Sequence, residues 1–169
     1  MSNGKTQPLL ACRNVFKYFG GLAAVNDFDL DVFPGDIIGI GGPTGAGKTT
    51  FIDVISGINP ATSGEIVLSG TAIATKKPDA ICNLGISQTF QLNAGFESVS
   101  IRENTLVGAS FGLGDKGWFP RMTSSSVMRE RVDRALELCR LQDRAELIVR
   151  DLPVLDRKLL MMAGALATE

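Results

Sequence analysis

The stretch GGPTGAGKTT, residues 41–50, decides the fold. Gly42, Gly47, Lys48 and Thr49 meet the spacing G-x-x-x-x-G-K-S/T. A backbone that turns several N–H groups into one concavity, close to an anion, has no room for a Cβ at the nearest points, and it needs dihedral angles that L side chains avoid. Glycine meets both demands. A helix opening near Lys48 adds unpaired amides and the positive end of its dipole. Lys48 brings a point charge that reaches β- and γ-phosphates, and the Thr49 hydroxyl is placed as a Mg²⁺ ligand. Pro43, Thr44, Gly45, Ala46 and Thr50 complete the cradle. The alternative is a glycine-rich turn that happens to precede a helix, and the flanking sequence weighs against it.

Upstream, NDFDLDVF (26–33) alternates Phe28, Leu30 and Val32 with Asp27, Asp29 and Asp31. A period of two predicts a strand with one wet face. FPGD (33–36) places Pro and Gly at the centre of a type II turn. IIGI (37–40) is a short continuous apolar run and predicts a strand buried on both faces. Downstream, a helix is predicted over Lys48–Ser56, stopped by Gly57 in a left-handed cap. EIVL (65–68) reads as a short strand and ISQTFQ (86–91) as a weaker one. SIRE (100–103) is a capping box that opens a helix running to about Val107. Residues 108–126 are glycine-rich and irregular and contain Trp118 and Phe119. Met128, Val132, Ala135 and Cys139 recur at helical spacing and predict an amphipathic helix over 126–141. The last predicted helix, 154–167, is apolar almost all round and needs cover on several sides.

The totals narrow the chemistry. The chain has 169 residues, 17 basic and 18 acidic, and a formal net charge of −1. That balance gives no general attraction to nucleic acid or anionic lipid, so no nucleic-acid partner is expected and phosphate must be held by a local device. There is no His, and Cys12, Cys82 and Cys139 are widely spaced. Zinc sites and histidine acid–base chemistry are therefore not expected. The N-terminus has no apolar signal-peptide core, and the longest apolar run, LLMMAGALA (159–167), is too short to span a bilayer. The chain reads as soluble and cytoplasmic.

P-loops serve GTPases, small kinases, motors and transporters, so the motif alone does not choose among them. About forty residues precede this one, and no N-K-x-D guanine reader is present. The run KYFGGLAAVNDFDLDVFPGDIIGIGGPTGAGKTTFIDVISG resembles the start of an ABC-type ATPase subunit, most closely those of branched-chain amino acid importers. ISQTFQ and SVSIRENTLVG resemble the same family further along. The resemblance implies an α/β P-loop NTPase fold with an antiparallel N-terminal β portion and a helical subdomain, incomplete at the C-terminus. It divides the chain into an ATP-binding core, 1–91, and a helical subdomain, 92–169. It implies ATP and Mg²⁺ as ligands, and permease subunits and a second ATPase subunit as partners. The subunit would lie on the inner face of the membrane. By position, Phe19 would stack on adenine, with Tyr18 as the competing aromatic; without the resemblance, Phe19 reads rather as an ordinary core or turn residue. Gln91 matches the glutamine that contacts Mg²⁺ and the attacking water; alone it reads as a polar strand-end residue. Lys48 and Gln91 are then the catalytic candidates, and Thr49 and Gln91 the metal ligands. Trp118 and Phe119 fit either a contact with membrane subunits or a local apolar lid.

Two departures accompany the resemblance. Where the family signature L-S-G-G-Q is expected, this chain has Leu152, Pro153, Val154, Leu155 and Asp156. The apolar strand ending in Asp-Glu that the family places after the last helix has no counterpart in the 169 residues. The expectation is a chain that binds nucleotide but hydrolyses it very poorly, and whose uncovered last helix makes it self-associate. A soluble ATPase of the same type without a membrane partner, and a non-hydrolysing remnant of the fold, are the competing readings.

Overall fold

The structure, a computed structural model, describes residues 7–90, 95–111 and 125–168. Contacts divide the chain into two compact units, Met1–Ile81 and Cys82–Glu169. Gln91, Trp118 and Phe119 lie outside the described residues.

The first unit is built on a four-stranded antiparallel sheet in the order β2-β1-β3-β4. The strands are β1 Leu10–Phe19, β2 Leu22–Val32, β3 Ser63–Leu68 and β4 Thr71–Ala72. The predicted alternation of β2 is present: Asp27, Asp29 and Asp31 are exposed while Phe28, Leu30 and Val32 are half-buried. The exposed carboxylates are tied to β1. Arg13 makes a bidentate pair with Asp31 at 2.6 and 2.8 Å. The Asn14 amide N–H donates to Asp29 Oδ1 (2.6 Å), and its side chain donates to Asp27 Oδ1 (2.9 Å). Asn14 and Asp27 both take left-handed backbone angles, φ 46° and 49°. These are bulges, at which the β1–β2 register shifts. Cys12, Val15 and Ile66 are fully buried on the other face. Burial pushes the Cys12 thiol up to about 11. Such a thiol is inert and serves as a small core residue.

Helix α1, Lys48–Ile55, packs on this sheet through Phe51 and Val54. The Phe51 ring lies 4.3 Å from that of Phe28, centroid to centroid. Gly57 ends the helix at φ 78°, as expected, and a Cβ there would reach within 2.7 Å of Ile81 on the short helix α2, Pro78–Cys82. The turn at 33–36 also forms, with the Asp36 N–H donating to Phe33 O (3.1 Å) and Gly35 at φ 87°.

Two expected strands do not form. Residues 37–40 carry no ladder; Ile37 is fully exposed and Ile38 is 43% exposed. A doubly buried strand needs a hydrogen-bonding neighbour on each side and a layer on each face. Among the described residues the only sheet is the antiparallel one, and 37–40 is not part of it. Residues 86–90 are likewise irregular and mostly exposed. Their short apolar content supplies no pairing partner.

The second unit is helical. It contains α3 Ile101–Ser110, α4 Ser125–Leu138 and α5 Val154–Leu166. Ile101, Leu136, Leu141, Val132, Leu160 and Ala163 form its core. The capping box is complete: Ser100 Oγ accepts from the Glu103 N–H (3.1 Å), and Glu103 Oε2 accepts from the Ser100 N–H (2.8 Å). The Ser100 N–H and hydroxyl both donate to that carboxylate and hold it below its ordinary range. Helix α3 runs three residues past the predicted end because Gly108 serves as a contact point rather than a breaker. A Cβ at Gly108 would come within 2.1 Å of the Gly164 carbonyl oxygen on α5. On α5, Asp156 is buried against Arg144, while Val154, Leu155 and Met162 are exposed.

Candidate nucleotide-binding site

Helix α1 starts where the glycine loop releases the chain. Its first helical bond runs from the Phe51 N–H to Gly47 O, 2.8 Å. The amides of Lys48, Thr49 and Thr50 therefore have no partner within the helix. No acidic residue occupies the first turn of α1 to compete for the dipole. Gly47 is the N-cap, at φ 81° and ψ 5°. Its Cα faces β2 so closely that a Cβ would stand 1.9 Å from the Ala24 carbonyl oxygen. Glycine is thus required twice at this position, by angle and by contact. Gly45 at φ 85° and Gly42 at φ 149° carry the loop through the same disallowed region. The Ala46 N–H closes a turn on Pro43 O at 3.2 Å.

Lys48 folds back over this loop. Its Nζ donates to Gly42 O (2.8 Å) and Pro43 O (2.7 Å), so the ammonium is fixed above the ring of main-chain groups. A cleft of about 330 Å³ opens here, with Ala24, Val25, Phe28, Gly45, Gly47 and Lys48 among its lining residues. Among the described residues, Lys48 is the one charged side chain that lines it, and no carboxylate does. Glycines with no Cβ, helix amides with no helical partner and the Lys48 ammonium make a surface rich in donors, which suits a phosphate chain. Pro43, Thr44 and Thr49 are exposed and Thr50 is half-buried.

The predicted site residues are not all brought together. Those of 42–50 form one loop and helix start. Phe19 ends β1 with 48% of its surface exposed and is not one of the cleft-lining residues. The Tyr18 ring instead stacks parallel to Phe16, 6.2 Å between centroids. Sequence reasoning missed the Ala24 carbonyl that locks Gly47. A main-chain contact between Ala24 and Gly47, far apart in the chain, leaves no mark in side-chain pattern. At the position expected for the signature, Pro153 is the N-cap of α5 and offers no side-chain cap. Arg157 ties that segment down, donating to Leu152 O (3.1 Å) and Arg150 O (2.7 Å).

The glycine loop, the helix it opens and the cleft beside them define a P-loop protein. The family model described as ABC transporter matches residues 25–169, and the chain belongs to that family. It is 37% identical over 163 residues to a Nod factor export ATP-binding protein I of Cupriavidus metallidurans, covering 95% of this chain and 50% of that protein. It is 32% identical over 171 residues to the high-affinity branched-chain amino acid transport ATP-binding protein LivG of Escherichia coli, covering 97% of this chain and 67% of that one. A ribose import ATP-binding protein of Rubrobacter xylanophilus is 31% identical over 163 residues, with 96% of this chain and 32% of that protein covered. A solved ATP-binding cassette of an ABC transporter in its ADP conformation superimposes with a TM-score of 0.81 at 28% identity, covering 96% of this chain and 66% of the other. The chain thus spans about half the length of the Nod factor relative and about two thirds of LivG. Among the described residues no helix is long and apolar enough to cross a membrane.

Proposed function

We propose that this chain carries the phosphate-binding part of an ABC transporter ATP-binding subunit and holds MgATP at Gly42–Thr50. The observation that supports this most is the pairing of a locked Gly47 with a Lys48 ammonium held over the loop carbonyls. In this reading Lys48 exchanges those carbonyls for β- and γ-phosphate oxygens. The amides of Gly45, Gly47, Lys48, Thr49 and Thr50 donate to the phosphates, while Pro43, Thr44 and Ala46, whose N–H is held by Pro43 O, shape the loop. The Thr49 hydroxyl and Gln91 hold Mg²⁺, which neutralises phosphate charge when bound. Phe19 stacks on the adenine.

The subunit works in a pair, homo- or heterodimeric, beneath permease subunits on the cytoplasmic face of the membrane. The core runs over 1–91 and the permease-facing helical subdomain over 92–169. The proposed solute is a branched-chain amino acid, supported by the LivG relatives; the Nod factor and ribose relatives mark the alternatives. A second reading, nucleotide binding without hydrolysis, is favoured by one feature. Asp156, in the place of the signature's final residue, is buried against Arg144 and cannot reach a partner's phosphate.

The test is Mg²⁺-dependent binding of a fluorescent ATP analogue to the chain and to Thr49→Ala. Wild type is expected to bind about ten-fold or more tightly with Mg²⁺ than without, and Thr49→Ala to lose that difference. Equal Mg²⁺ dependence in both proteins would remove Thr49 from the metal site. Phosphate release measured on the same samples separates an ATPase from a binder.

A further inference from the structure

Lys17 takes no part in the site as described, yet it joins several of its pieces. It is half-buried in β1, and its Nζ donates to the Pro60 carbonyl at 2.8 Å. The same ammonium stands 4.9 Å from the centroid of the Phe19 ring, within the range of a cation–π contact. Pro60 follows Asn59, whose N–H donates to Asp53 O of α1 at 3.1 Å. The end of β1 is held to this loop a second time. The Tyr18 N–H donates to Thr62 Oγ1 (3.0 Å), and the Thr62 N–H donates to Phe16 O (2.8 Å). The strand end bearing Phe19 is therefore fastened to the segment that leaves the phosphate-binding helix.

Orientation supports the same reading. Lys17 is directly opposite Val25 in the β1–β2 ladder. Val25 lines the cleft, with its Cγ2 next to Gly47. Opposed residues of an antiparallel pair share a sheet face, as do residues two apart on one strand. Lys17 accordingly shares the face of Val25; the register shifts between Lys17 and Tyr18, and it is the cation–π contact that puts the Phe19 ring on the Lys17 side. Tyr18 points to the other side, against Phe16.

We propose that Lys17 is a positioning residue for base recognition. Fixed by Pro60, its ammonium holds the Phe19 ring so that the ring's open side receives the heteroaromatic base of a nucleotide whose phosphates lie on Lys48. This rests on the nucleotide-binding reading above, and the test separates the two. Calorimetry is run with two probes, MgATP and magnesium tripolyphosphate, which has the phosphates but no base. The proteins are wild type, Lys17→Met, Lys17→Arg, Phe19→Ala and the double variant Lys17→Met/Phe19→Ala.

Lys17→Met is expected to weaken MgATP about three- to five-fold and to leave tripolyphosphate unchanged. Phe19→Ala should cost MgATP about ten-fold, again with tripolyphosphate unaffected. The double variant should be no weaker than Phe19→Ala, because Lys17 acts through that ring. Lys17→Arg, which keeps the charge and a donor for Pro60, should restore MgATP affinity. A purely structural lysine would move both probes together. Equal losses for both probes, no loss for either, or additive losses in the double variant would each overturn the proposal. Wild type that binds tripolyphosphate as tightly as MgATP would sink this inference and leave the phosphate cradle standing. Wild type that binds neither would remove the cradle itself, and this inference with it.

Discussion

Gly47 shows how much a single residue without a side chain can determine. It has the left-handed angle that begins α1, and it lets the loop approach the Ala24 carbonyl. Its neighbour Lys48 then has a fixed base from which to reach Gly42 O and Pro43 O. Gly47→Ala would force a Cβ to 1.9 Å from that oxygen, a distance only backbone movement relieves. The expected result is a loss of MgATP affinity of more than about ten-fold, with a stability loss of about 1–3 kcal/mol. Paired nucleotide titration and urea unfolding check it, and wild-type affinity in the variant would show that the loop is not held by this contact. The requirement for glycine here was legible in the sequence, because the motif spacing expresses local backbone chemistry. The reason β2 must lie beside it was not, because the contact is main chain to main chain. Phe19 was singled out by resemblance, while the Lys17 ammonium beside its ring was not.

Elements were readable where their stabilisation is local. The Ser100–Glu103 box, the Gly57 cap and the acidic alternation of β2 each place cause and effect within a few residues. Strand β1 was not foreseen. Asn14 inserts a bulge between Cys12 and Val15, so the buried residues fall out of a period of two. The segment 37–40 failed in the opposite way: its composition suits a buried strand, but no described residues pair with it. The extension of α3 past Val107 depends on α5, where Gly108 meets the Gly164 carbonyl. Gly108→Ala raises helix propensity and would stabilise an isolated α3 by up to about 1 kcal/mol. In the packed unit the contact overrides this, and a net destabilisation of about 1–3 kcal/mol is expected. Thermal unfolding decides the sign, and a higher midpoint would mean that the helices do not approach so closely.

For the molecule as a whole, the notable feature is the apolar surface exposed among the described residues. Ile37 is fully exposed in the first unit, and Val154 and Leu155 are each 66% exposed in the second. Surface of this kind drives association. The 169-residue chain is expected to sediment as a concentration-dependent oligomer, and Ile37→Lys with Leu155→Lys to shift it toward monomer. A wild-type monomer across the concentration range, with no binding of a hydrophobic dye, would show that these residues are covered in solution. The family and the glycine loop were evident from a few fixed positions, because that backbone geometry is contained in one loop. The division into two units and the exposed residues depend on what the rest of the chain does or does not place beside them. The account as a whole depends on the cradle, and calorimetric titration of MgATP into wild type and Lys48→Ala tests it most directly. A saturable heat with wild type and none with Lys48→Ala is the predicted result. No heat with wild type, or the same isotherm from both proteins, would contradict it.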